Sequence, residues 1–141
     1  MKGFTLLELL IVLVIMVGAV GAATPFFARS MNSVNLNSGA RELVVLLKKG
    51  ANDAVIKSES VRFQLDDDNR LYQISGDKKQ YPWPKEIAVS LKAPGRDLGS
   101  SMIVFYPDGT TSGGLILMRS EKRAYEIDVN WITGRVALNE A

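Results

Sequence analysis
Residues 1–25 read MKGFTLLELLIVLVIMVGAVGAATP, and this stretch decides what the chain can be. From Phe4 to Ala23 the only formal charge is Glu8. A helix of that length, at about 1.5 Å rise per residue, covers roughly the 30 Å of hydrocarbon in a bilayer. Residues 4–25 therefore read as a transmembrane helix with a carboxylate one turn from its start. A charge deep in a membrane helix costs about 2.5 to 3.5 kcal/mol and is ordinarily paired or functional. Glu8 either rests at headgroup level or meets a cation.

An ordinary secretory signal has a shorter apolar stretch and a small-residue cleavage site behind it. Here only Met1, Lys2 and Gly3 precede the apolar run. Lys2 favours a cytoplasmic N-terminus, but Arg29 and Arg41 on the other flank leave the orientation open on charge alone. Pro25 lacks the amide that would bond the carbonyl of Gly21, and Gly18 and Gly21 add backbone freedom. The helix either loosens from Gly18 to Pro25, or these residues are ordinary members of a membrane helix.

The chain has 141 residues, enough for one modest core once the anchor is set aside. Its net charge is +2, with both signs interspersed after residue 40, which gives no bulk attraction to nucleic acid. There is no cysteine and no histidine. That excludes a disulfide framework and thiolate chemistry, and it removes the commonest general base and metal ligand.

Beyond the anchor, Leu36, Ala40, Leu43, Leu47, Ala51 and Ala54 recur at steps of three and four, with Val44 and Val55 beside them. Residues 26–57 read as an amphipathic helix covering an apolar surface, although Asn32, Asn35 and Asn37 lower its propensity. From Ser58 the period becomes two. Val61, Phe63 and Leu65 alternate with Arg62 and Gln64, and Asp66 to Asn69 turns the chain into Leu71 to Ile74. Tyr81-Pro82-Trp83-Pro84 cannot be a central strand, since two prolines remove ladder donors. Trp83 reads as a lid over the core. Ile87, Val89 and Leu91 alternate again before a loop from Ala93 to Ser100. Four further strands are expected at 102–106, 115–118, 125–129 and 135–138, closing one antiparallel sheet over residues 58–141.

The segment Gly3-Phe4-Thr5-Leu6-Leu7-Glu8 resembles the processing signal of type IV pilins and of the pseudopilins of type II secretion systems. A narrower resemblance runs through Phe105-Tyr106-Pro107-Asp108-Gly109-Thr110, Ser112-Gly113-Gly114, Ile127-Asp128-Val129 and Thr133-Gly134-Arg135-Val136. These look like the globular domain of the GspH/FimT pseudopilin family. The resemblance implies an α+β, type IV pilin-like fold in which a long N-terminal helix packs on an antiparallel sheet. It implies that a prepilin peptidase cuts between Gly3 and Phe4, removing the leader at residues 1–3, and methylates the new amine of Phe4. It further implies that Glu8 meets the Phe4 amine of a neighbouring subunit, and that the helix melts around Gly18, Gly21 and Pro25 on assembly. The expected product is a minor pseudopilin of a type II secretion system, anchored in the inner membrane with a cytoplasmic N-terminus and a periplasmic domain at residues 26–141. Its partners would be other pseudopilins, the peptidase, the inner-membrane assembly platform and membrane lipid before assembly. The alternative is a minor pilin of a type IV or DNA-uptake pilus.

No catalytic residue, metal or cofactor is expected. The run Asp66-Asp67-Asp68-Asn69 departs from a calcium loop at Arg70, and Asp108 reads as capping its own turn. Nucleic acid is not expected as a partner, because Lys78, Lys79, Lys122 and Arg123 sit in two loops beside acids.

Overall fold
The computed structural model describes residues 3–94 and 102–141, and of residues 22–35 only the backbone. Its secondary structure is one helix, α1 (Leu6–Lys57), followed by eight strands. These are β1 (Val61–Asp66), β2 (Leu71–Ile74), β3 (Gln80–Pro82), β4 (Ala88–Lys92), β5 (Met102–Phe105), β6 (Gly114–Arg119), β7 (Ala124–Val129) and β8 (Val136–Glu140). The chain divides into two units, Met1–Asn32 and Ser33–Ala141, described separately. Most of the loop expected at Ala93–Ser100 lies outside the described residues.

In the second unit α1 buries Leu36, Ala40, Leu43, Leu46, Leu47 and Ala54. Each large aliphatic side chain so buried contributes about 1.5–3 kcal/mol. The stripe passes through Gly50, where an added Cβ would stand 3.1 Å from Ile74 Cδ1 and 3.5 Å from the Phe105 ring. Val55, expected beside the stripe, is 49% exposed instead. The helix ends in a Schellman cap built on Ser58 at φ 54°: Glu59 N–H donates to Ala54 O at 3.2 Å, and Ser58 N–H to Val55 O at 3.4 Å.

The strands form two antiparallel four-stranded sheets, β3-β2-β1-β5 and β4-β6-β7-β8, rather than the single sheet expected. The alternation that defines β1 is realised in its pairing, with Phe63 opposite Ile74 on one side and Ile103 on the other. β3 takes the edge of the first sheet, as its proline requires. Trp83 is a core residue rather than a lid: its ring stacks on Tyr72 at 6.0 Å, and Tyr72 stacks in turn on Tyr81 at 5.6 Å. Burial, with the Glu42 carboxylate and then Tyr81 as smaller causes, pushes the Tyr72 phenol up to about 12.

The segment between β5 and β6 is one of those that pass between the two sheets, and it is hydrogen-bonded on both sides. Residues 110–112 fold back on β5, with Tyr106 N–H donating to Thr110 O and Ser112 N–H to Val104 O, both at 2.9 Å. Thr111 N–H donates to Trp131 O, beyond the end of β7, at 3.1 Å, and the buried Thr111 hydroxyl accepts from Gly113 N–H at 3.0 Å. Gly113, at φ +71°, then passes the chain into β6 of the second sheet, where a Cβ would meet Trp131 Cβ at 2.9 Å. A second close approach lies alongside: a Cβ on Gly134, at φ +67°, would stand 2.5 Å from Gly109 O.

Gly134→Ala is therefore expected to cost roughly 3 kcal/mol or more, since a backbone collision adds to left-handed strain. Gly76→Ala, at φ +88° with nothing within 4 Å, should cost about 1–2 kcal/mol. Urea unfolding of both full-length variants in mild detergent checks this, and equal losses would contradict the close approach.

Candidate functional site
The chemistry-bearing residues of the N-terminal segment gather at the start of α1. Thr5 is the helix N-cap. Glu8 N–H donates to its hydroxyl at 3.3 Å and to its carbonyl at 3.1 Å, and Leu9 N–H donates to the same carbonyl at 3.3 Å. Thr-Leu-Leu-Glu is the spacing of a capping box, in which a Ser or Thr cap serves the amide of the third helical residue. The amide of Glu8 is thus served by the cap, at a spacing that the signature S/T-x-x-E makes legible in sequence. Its carboxylate also lies in the first turn, where the helix dipole favours an anion. Among the described residues that carboxylate makes no hydrogen bond or ion pair, so its acceptor capacity is open. Phe4 is exposed beside it.

Behind Glu8 the helix is apolar on every side, and the large hydrophobics from Leu6 to Val17 and Val20 are all exposed in the isolated chain. A helix of this character is stable only when buried in a larger assembly or in lipid. Among the described residues no helix is long and apolar enough to cross a membrane. The span expected at Phe4–Ala23 ends in residues whose side chains lie outside the description. The helix assignment runs unbroken through Gly18, Gly21 and Pro25. An added Cβ at Gly18 or Gly21 would meet nothing within 4 Å.

On the globular unit, the carboxylates of Asp66, Asp77 and Asp108 are engaged by hydrogen bonds within their own turns. Asp108 accepts from Thr110 Oγ1 at 2.6 Å and Thr110 N–H at 2.9 Å, capping its own turn as expected. Asp66 accepts from the Asn69 amide side chain at 2.8 Å and the Asn69 N–H at 3.1 Å. Asp77 accepts from Lys79 N–H at 3.0 Å, pairs with Lys49 at 3.2 Å and accepts from the Tyr81 hydroxyl at 3.3 Å. Among the described residues no group of three or more acidic side chains is placed to hold a metal ion. Lys79 lies over the Tyr81 ring at 4.8 Å, and with Lys78, Lys122 and Arg123 it belongs to two separate loops.

These hydrogen bonds hold the carboxyls of Asp66, Asp77 and Asp108 below the ordinary aspartate value of 3.8. A depressed carboxyl contributes stability that is present above its unfolded value and lost as pH falls through its folded value. The thermal midpoint is expected to stay level above about pH 5 and to fall below 3.8. Asp108→Asn should flatten that acid limb in a circular-dichroism melt series, and an unchanged slope would contradict it.

Residues 1–23 match the family described as the prokaryotic N-terminal methylation motif. The chain is 24% identical over 143 residues to type II secretion system protein H of Xanthomonas campestris pv. campestris, a match covering 96% of this chain and 82% of that protein. Its structure resembles the minor pseudopilin EpsH from the type 2 secretion system of Vibrio cholerae. That match has a TM-score of 0.62 at 10% identity, over 75% of this chain and 97% of the other. It equally resembles the type IV minor pilin FimU of Pseudomonas aeruginosa, with a TM-score of 0.62 at 15% identity, over 77% and 90% of the two chains. The fold is therefore the pilin-like α+β fold that the motifs implied.

Proposed function
We propose that the chain is a minor pseudopilin of a type II secretion system, a structural and non-enzymatic subunit that assembles through its N-terminal helix into a periplasmic filament driving export of folded proteins. The observation that carries this reading is the similarity to a type II secretion protein H along 96% of the chain, behind a methylation motif at residues 1–23. The fold alone does not choose between secretion and piliation, since EpsH and FimU match equally well. A minor pilin remains the second reading on the strength of that FimU likeness. Deleting the gene is expected to strand normally exported enzymes in the periplasm and leave pilus-dependent motility intact. The opposite pattern would favour the pilin.

The N-terminal segment supplies the assembly chemistry. A prepilin peptidase removes residues 1–3 between Gly3 and Phe4 and methylates the Phe4 amine. The apolar helix from residue 4 to 25 then anchors the chain in the inner membrane, cytoplasmic at its N-terminus, until it is handed to the assembly platform. An all-round apolar helix suits both environments, lipid first and neighbouring helices afterwards. Glu8 meets the Phe4 ammonium of the next subunit, each charge relieving the other's desolvation and fixing the axial register. Gly18, Gly21 and Pro25 form the segment of weakest helix propensity, where the helix can loosen as the subunit enters the filament.

Glu8→Ala should be cleaved normally, because the cut lies upstream, yet its crosslinked yield in filaments should drop at least tenfold. Glu8→Gln, which keeps the shape and removes the charge, should show most of that loss. Wild-type incorporation by both variants would sink the pairing.

A further inference from the structure
Among the described residues the two sheets present four edges, and three of them are blunted. β3 is three residues long and carries Pro82, β4 ends in an exposed Lys92, and β5 is covered by the returning residues that bridge Phe105 to Thr111. Proline, charge, shortness and cover are the usual means of protecting an edge. β8, reading Val136-Ala137-Leu138-Asn139-Glu140, has no proline, and its one charge, the exposed Glu140, stands at its last residue, beyond Val136 and Leu138. Its last residues on the β7 side are fixed by Asn130 N–H donating to Arg135 O and Ala141 N–H to Ala124 O, both at 2.9 Å. Since bonding groups alternate along an antiparallel strand, Ala137 and Asn139 bond to β7. The N–H and C=O groups of Val136 and Leu138 point the other way.

That free edge borders a groove of about 700 Å³ whose far wall is α1 at Lys48, Ala51, Asn52 and Val55. Consecutive residues from Arg135 to Leu138 line it, although neighbours on a strand point to opposite faces, so the strand presents its edge rather than one face. The wall carries two cations, Lys48 and Arg135, and no carboxylate. Neither cation is in an ion pair among the described residues, whereas the adjacent Lys49 and Lys57 are held by Asp77 and Asp53. Val55, on the groove, is 49% exposed at the C-terminal end of the helix, where Ile56 is exposed as well.

We propose that this groove binds an extended, acidic segment of a partner polypeptide, which adds to β8 as a fifth strand of the second sheet. Main-chain bonds to Val136 and Leu138 supply the pairing, Ala51 and Val55 offer a small apolar surface to an inward side chain, and Lys48 and Arg135 select acidic residues at the flanks. Charge complementarity decides the occupant's sign, and the open ladder decides its conformation. A nucleic acid fits less well, because two cations beside an aliphatic wall track few phosphates. The inference does not depend on whether the assembled filament is a pseudopilus or a pilus.

The test uses full-length protein in mild detergent and fluorescein-labelled peptides alternating glutamate with valine, leucine or phenylalanine. At least one of the three is expected to give a saturable anisotropy rise. The corresponding lysine peptide should bind at least tenfold more weakly. The Lys48→Glu, Arg135→Glu double variant, folded by circular dichroism, should lose at least tenfold in affinity. Methylating alternate peptide amides along the pairing edge should abolish binding without changing charge. Absence of saturable binding by all three acidic peptides would overturn the proposal. So would equal binding of the lysine or N-methylated peptides, or full displacement by an equimolar DNA oligonucleotide.

Discussion
The globular unit depends on a joint in which three backbone segments come too close for side chains. Gly113 passes within Cβ distance of Trp131, Gly134 lies against the carbonyl of Gly109, and the buried Thr111 bonds backbone groups on both sides of the crossing. Two four-stranded sheets with no shared ladder would otherwise be linked chiefly by the helix that covers them. The joint constrains their separation, because the buried Thr111 would lose its hydrogen bonds if these segments parted and the glycines leave no room for side chains between them. The turn motifs that seemed ordinary one by one are parts of this single device.

The helix completes what the joint begins. A Cβ added at Gly39 would lie 3.6 Å from Met118 of the second sheet, and one at Gly50 would meet Ile74 and Phe105 of the first. Leu36, Leu43 and Leu47 fill the space between, so one helical face serves both sheets. The same helix, nearer its N-terminus, carries apolar residues with no cover in the isolated chain. One element thus packs on its own domain over its second half and leaves the apolar side chains of its first half exposed.

Much of this was legible in sequence where the signal is local. The β1–β2 hairpin followed from alternation and an acidic turn, and the pilin-like fold from the motifs at each end. Pairing between distant strands was not legible: β1 meets β5 and β4 meets β6, and the alternation of either strand is indifferent to its partner. Hence one sheet was expected and two were found. On α1 the stripe from Leu36 to Ala54 is realised, with Ala51 packed against the core, but Val55 beside it is exposed and the buried Gly50 carries no hydrophobic signal in sequence. Thr5 was overlooked for the opposite reason, since the apolar run around it drew all the weight.

Thr5 has one consequence for the order of events in the life of the chain. The bonds that stop the helix from fraying are made by a residue on the mature side of the proposed cut. Removing residues 1–3 would therefore take nothing from them, and helix formation and leader removal become energetically independent steps. A protease acting at Gly3 would meet a substrate already rigid from its second mature residue onward. It would need to accommodate only the residues ahead of the cap.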